Sequence, residues 1–141
     1  MLEVLVAVSV RRNPGPGGIG IVITNTDDGE VWPGISQLLE GSVTNVEAEL
    51  AAVSIALQVV IDKGCVYDLK IKIATTGTID IIQRAIDDDQ DCRPYQEHLQ
   101  PWFDKITSQA KEITERDASI KLFQAPKETL VSAKKLARKA F

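Results

Sequence analysis

The chain predicts an α/β fold, a five-stranded mixed sheet flanked by helices. Three features of its order carry that expectation. Three strand-like runs joined by turn residues come first, a long helical pattern follows, and two further strand-like runs are each flanked by helical spacing. Three meandering strands joined to two that return through helices make a layered α/β sheet. The right-handed crossover preference then sets the fourth and fifth strands beside the first.

Leu2–Val10 is nearly all apolar and β-branched, as suits a central strand covered on both faces. The Pro/Gly cluster after Arg11-Arg12-Asn13 is a turn, and residues 18–24 form the second strand. Asp28-Gly29 marks a hairpin, and residues 30–35 are expected as the third strand. Pro33 has no amide donor, so this strand belongs at a sheet edge. Thr44 followed by Glu47 is a capping box, and it opens a helix that Gly64 closes. Val46, Leu50, Val53, Leu57 and Val60 form one stripe, and the alanines beside it predict enclosure on more than one side. Residues 69–74 alternate as a fourth strand, and a short helix is expected over 79–86. A helix over 95–116, a fifth strand over 119–123 and a closing helix over 128–140 complete the order.

A chain of 141 residues with 44% hydrophobic content suits one packed domain. Its net charge of −4 offers no global attraction to nucleic acid, so such binding would need a local basic patch. Cys65 and Cys92 do not make a disulfide framework, and no apolar run reaches membrane-spanning length. With no secretory leader visible, a cytoplasmic location and no membrane partner are expected.

The turn Asn13-Pro14-Gly15-Pro16-Gly17-Gly18 and the helix start Thr44-Asn45-Val46-Glu47-Ala48-Glu49 together resemble the ribonuclease H family. Members carry a Gly-Asn-Pro-Gly-Pro-Gly-Gly turn and a Thr-Asn-Asn-x-x-Glu helix start. The closing stretch from Phe123 through Ala137 is similar to that of the family's shorter members, so the resemblance spans nearly the whole chain. It implies a ribonuclease H-like sheet of order 3-2-1-4-5. It also implies a history of cutting the RNA strand of an RNA–DNA hybrid with two magnesium ions held by carboxylates. Carried onto this chain, the first-strand aspartate falls on Ala7, the helix glutamate on Glu49, the fourth-strand aspartate on Thr76 and the last-helix aspartate on Lys134. One carboxylate of four is kept, and one position has reversed its charge.

The expectation is therefore a catalytically degenerate protein with no catalytic centre, no bound metal and no cofactor, acting in nucleic-acid binding or protein scaffolding. The alternative is an active hybrid ribonuclease that uses magnesium through relocated ligands. Asp80, Glu3 and the acidic run 87–91 are poorly placed for that role. Glu49 is either a carboxylate at a rim or the partner of Lys134 in an ion pair. By the same resemblance Arg11, Arg12, Asn13, Gly15, Thr44 and Asn45 are candidates for weak nucleic-acid contact, or they preserve turn and cap geometry alone. Lys134-Lys135 with Arg138-Lys139 is either a solvated, dipole-complementing end or a docking patch for an acidic partner or phosphate. His98, Trp32, Trp102 and Phe103 read as packing or surface residues, and Cys65 as a small buried one. An exposed edge near Pro33 or the apolar cover near Trp102 leaves a homodimer open.

Overall fold

The computed structural model describes residues 1–64, 66–88 and 97–141. The readings of Cys65, Cys92, Tyr95 and the acidic residues Asp89 and Asp91 lie outside these. Strands β1 (Leu2–Val10), β2 (Gly17–Asn25), β3 (Ile35–Leu38), β4 (Leu69–Ile73) and β5 (Ile120–Gln124) form one sheet of order β3-β2-β1-β4-β5. β1 pairs antiparallel with β2 and parallel with β4. Helices α1 (Asn45–Lys63), α2 (Thr76–Ile86), α3 (Gln100–Thr114) and α4 (Val131–Lys139) cover it.

Strand alternation decides which helix lies on which face. Val4, Val6, Ile19, Ile21 and Ile23 join the core built with α1, which also takes in Phe103 and Ile106 of α3. Their neighbours Leu5, Ala7 and Val22 point the other way, against Leu130 and Ala133 of the closing segment. α1 is therefore enclosed between the sheet and α3. Its apolar, alanine-rich surface follows from that, and eleven of its residues are buried. A polar clip crosses the α1–α3 contact. The Ser54 hydroxyl donates to Gln109 Oε1 at 2.8 Å, and Gln109 Nε2 donates to the Ser54 carbonyl at 3.0 Å. These bonds satisfy groups whose burial unpaired would be costly.

α4 approaches the opposite face closely because β2 presents glycines there. A Cβ on Gly20 would stand 1.9 Å from the Ala133 carbonyl oxygen, and one on Gly18 would stand 2.3 Å from that of Ala137. The helix backbone occupies the volume that side chains would need.

The capping box of α1 is present in both directions, and Gly64 ends the helix at φ 70°. Gly29 closes the β2 hairpin at φ 74°. The third strand differs from its expected span. Val31 makes only an isolated bridge to Thr24, and ladder pairing begins at Ile35. Pro33 has no amide to donate, and the close packing of Leu136 against Gly34 carries the chain onward before pairing resumes. β3 does occupy the sheet edge. α3 starts later than expected, after a 3₁₀ turn at Glu97–Leu99 and with Pro101 in its first turn. α4 also starts late, because tight turns from Pro126 to Thr129 and from Lys127 to Leu130 precede it. Among the described residues no helix is long and apolar enough to cross a membrane.

Candidate functional site

Where β1, α1 and α4 meet, a cavity of ≈ 640 Å³ opens to solvent. β1 supplies Val6, Ala7 and Val8 to its wall, and the first turns of α1 supply Asn45 and Glu49. Ala74 and Thr75 come from the link between β4 and α2. α4 contributes Lys134, Lys135 and Arg138 at spacings that share one helical face, and Lys127 joins them from the turn before the helix.

Three of the four aligned positions meet here: Ala7, Glu49 and Lys134. The fourth assignment needs correction. Thr76 is exposed as the first residue of α2 and does not line the cavity, whereas Thr75 does. Thr75 is the N-cap of α2 with extended backbone, so its side chain still follows the strand direction.

Glu49 is not at a solvated rim; it is 4% exposed. The Thr78 hydroxyl donates to its carboxylate at 3.1 Å, and Thr75 faces it with hydroxyl and amide. Burial pushes the Glu49 carboxyl above its ordinary range, opposed by the two threonines and, more weakly, by Lys134. The expected Glu49–Lys134 ion pair does not form. The Lys134 ammonium instead donates to the Val8 carbonyl. Burial lowers the Lys134 pKa, as do Arg138 and Lys127, while Glu49 works the other way. Glu49 and Lys134 therefore feel each other across the cavity without direct contact.

This donor set does not fit divalent magnesium. Magnesium favours oxygen ligands in octahedral array, with carboxylates doing the binding. Here the one carboxylate among the described lining residues already accepts from threonine, and an ammonium group shares the wall. Among the described residues, no three His, Cys, Asp or Glu side chains gather as a metal would require.

The remaining candidate residues make contacts within the fold. Asn13 Oδ1 accepts the Asn45 amide at 2.9 Å and ties the turn to the entry of α1. The Thr44 hydroxyl accepts from the Glu47 amide at 3.1 Å. Gly15 exchanges backbone hydrogen bonds with Val43, and a Cβ there would stand 1.7 Å from the Arg11 carbonyl oxygen. The Arg11 guanidinium lies 4.0 Å from the centre of the Phe141 ring. Arg12 and Asn45 are exposed, and Asn45 is the one residue of this group that reaches the cavity. Trp32 is buried, edge-on to Tyr67, and Trp102 packs at the margin of the core. His98 Nε2 lies 3.7 Å from Glu47. Sequence spacing had pointed to the cations of α4 but not to Lys127, which the turn after Pro126 folds onto the same face.

Strand order, crossovers and helix placement define a ribonuclease H fold. The profile of the reverse transcriptase-like family matches residues 5–140, and the chain belongs to that family. LC11-RNase H1, solved in complex with an RNA/DNA hybrid, superposes with a TM-score of 0.80 at 24% identity, over 99% of this chain and 96% of that one. The N-terminal RNase H domain of a Mycobacterium tuberculosis protein gives 0.79 at 19% identity, over 99% and 97%. RNase H1 from the halophilic archaeon Halobacterium salinarum gives 0.72 at 21%, over 99% and 96%. No curated protein matches the chain.

Proposed function

We propose that this chain is a ribonuclease H-fold protein without nuclease chemistry that serves as a nucleic-acid-binding module. One observation carries the reading: among the described residues, the cavity joining Ala7, Glu49, Thr75 and Lys134 presents one hydrogen-bonded carboxylate and four cations. Two-metal phosphoryl transfer needs ions that hold both the attacking and the leaving oxygen. A wall of this sign repels such ions and attracts the phosphates themselves. The structural relative solved with an RNA/DNA hybrid supports a nucleic-acid partner. A protein-scaffolding role is a second reading, favoured by Leu38, which is 51% exposed on edge strand β3. Concentration-dependent sedimentation tests the homodimer form of that role.

The nuclease question is tested with an end-labelled RNA–DNA hybrid incubated with magnesium or manganese. The hybrid is expected to stay intact. Metal-dependent cutting that disappears in Glu49→Gln would establish the relocated-ligand enzyme instead.

A further inference from the structure

We propose that the outer edge of β5, with the lysine-bearing sheet surface beside it, docks an acidic extended peptide that joins the sheet as a sixth strand. None of the residues involved lines the cavity between β1, α1 and α4, and the proposal does not depend on how that cavity functions.

Strand register builds the surface. Glu3 pairs with Lys70 and Lys70 with Lys121; in the next row Leu5 pairs with Lys72 and Lys72 with Phe123. Residues paired across strands share a face of the sheet, and Leu5 sets both rows on the side that α4 occupies. α4 packs on β1, β2 and β3. The half over β4 and β5 is open: Phe123 is 41% exposed, Lys121 is exposed, and Lys70 and Lys72 are half-buried.

The charge of this surface opposes that of the chain. The net charge is −4, yet the two rows carry three cations and one anion. Lys72 Nζ meets Glu3 Oε2 at 3.0 Å, which leaves the other two lysines uncompensated by it. The Lys70 ammonium lies 4.7 Å from the centre of the Phe123 ring. Among the described residues, Lys121 has no carboxylate within ion-pair distance. Asp68, just before β4, accepts from the Ser119 amide and hydroxyl.

The strand edge supplies the pairing groups. The Ser119 carbonyl accepts from the Leu69 amide, and the Ala125 amide donates to the Ile73 carbonyl. Alternate residues of a parallel strand bond to the same neighbour. Lys121 and Phe123 therefore turn their backbone groups to β4, and Ile120, Leu122 and Gln124 turn theirs outward. Among the described residues no strand pairs with them. Lysines along an edge discourage neutral and cationic strands, but they do not discourage an acidic one. The exposed Phe123 is no part of such a defence, since an aromatic ring beside a free edge favours pairing. Side chains alternate along an added strand, so one falls beside Lys121 and the next but one beside Phe123. The fitting partner is a segment as long as β5, with carboxylates near the lysines and an apolar side chain against the ring. Main-chain bonds would supply affinity, and the alternate side chains would select.

The test is fluorescence anisotropy with three labelled probes: the peptide Thr-Glu-Val-Phe-Val-Glu-Thr, its counterpart Thr-Lys-Val-Phe-Val-Lys-Thr, and single-stranded RNA. The acidic peptide is expected to bind at least about tenfold more tightly than the lysine peptide, with the margin shrinking as salt rises. Lys121→Glu should remove or reverse that preference while circular dichroism stays native. The gain for the lysine peptide distinguishes charge recognition from a damaged fold. N-methylation of alternate peptide amides tests the edge pairing. One of the two frames should abolish binding and the other should leave it, because only alternate amides would face β5. Leu38→Lys, on the opposite edge strand, should change neither affinity. Equal binding of both peptides, no binding by folded wild-type protein, or no difference between the methylated frames would overturn the proposal. RNA binding that needs Lys121, without peptide binding, would overturn the peptide assignment in favour of a nucleic-acid surface. A Lys121-dependent dimer in sedimentation would overturn it in favour of a second copy of this chain.

Discussion

Glu49 holds its carboxylate in a place that solvent scarcely reaches. Burial raises its pKa above the ordinary 4.5. Between the unfolded and folded values the native chain therefore holds a proton that the unfolded chain has released. Stability falls as pH rises through that interval, and the cost is fully present above it. Glu49→Gln keeps an oxygen to accept from Thr78 and removes the charge. The expected result is a higher urea midpoint than wild type at pH 7, with the gap closing as pH falls to 4.5 and below. A variant less stable than wild type at pH 7 would show instead that the threonine hydrogen bonds and the attraction to Lys134 together outweigh desolvation. The same residue shows what sequence spacing resolves. Its identity and its place on α1 were readable from the Thr44 cap, because helical spacing from a known start fixes a face. Its partner Thr75 was missed by one position. At a strand-to-helix junction that single step matters, since each helical residue turns the side chain by about 100° and carries Thr76 out of the cavity.

At the scale of elements, α1 and α4 were legible to different degrees for a physical reason. α1 is bounded by a capping box and a C-terminal glycine, both local signals. Thr44→Ala removes the hydroxyl that accepts from Glu47 and should cost about 1 kcal/mol in chemical denaturation. α4 starts after tight turns that no cap announces, and its fit to the sheet depends on glycines more than a hundred residues away in sequence. Gly20→Ala places a methyl group against the Ala133 carbonyl oxygen, within helix backbone that cannot rotate away. A loss of roughly 1–3 kcal/mol is expected, the usual cost of overpacking. If α4 is displaced, the variant should also lose any affinity that Lys134 and Arg138 confer. β3 was misplaced because apolar content suggested a strand from Glu30, whereas ladder pairing needs donors that Pro33 does not have.

Over the whole molecule, two cores divide the labour. The larger, on the α1 side, holds Phe103 fully buried, and Phe103→Ala should cost about 3–5 kcal/mol in a two-state urea titration. The smaller, under α4, is built largely from alanine, leucine and glycine, and it keeps the cationic segment close to β1. Sheet order was legible from the sequence because turns, crossovers and a family resemblance all led to one topology. The cations of α4 and the charge reversal at Lys134 were legible too, but Lys127 was not, because only the turn after Pro126 sets it on the cavity wall beside Lys134 and Arg138. By the function proposed above, this cavity attracts anions and does not hold divalent cations. Paramagnetic resonance of a manganese titration reads this out. The free-manganese signal is expected to fall no further with wild-type protein than with Glu49→Gln. A stoichiometric site present in wild type and lost in Glu49→Gln would contradict it.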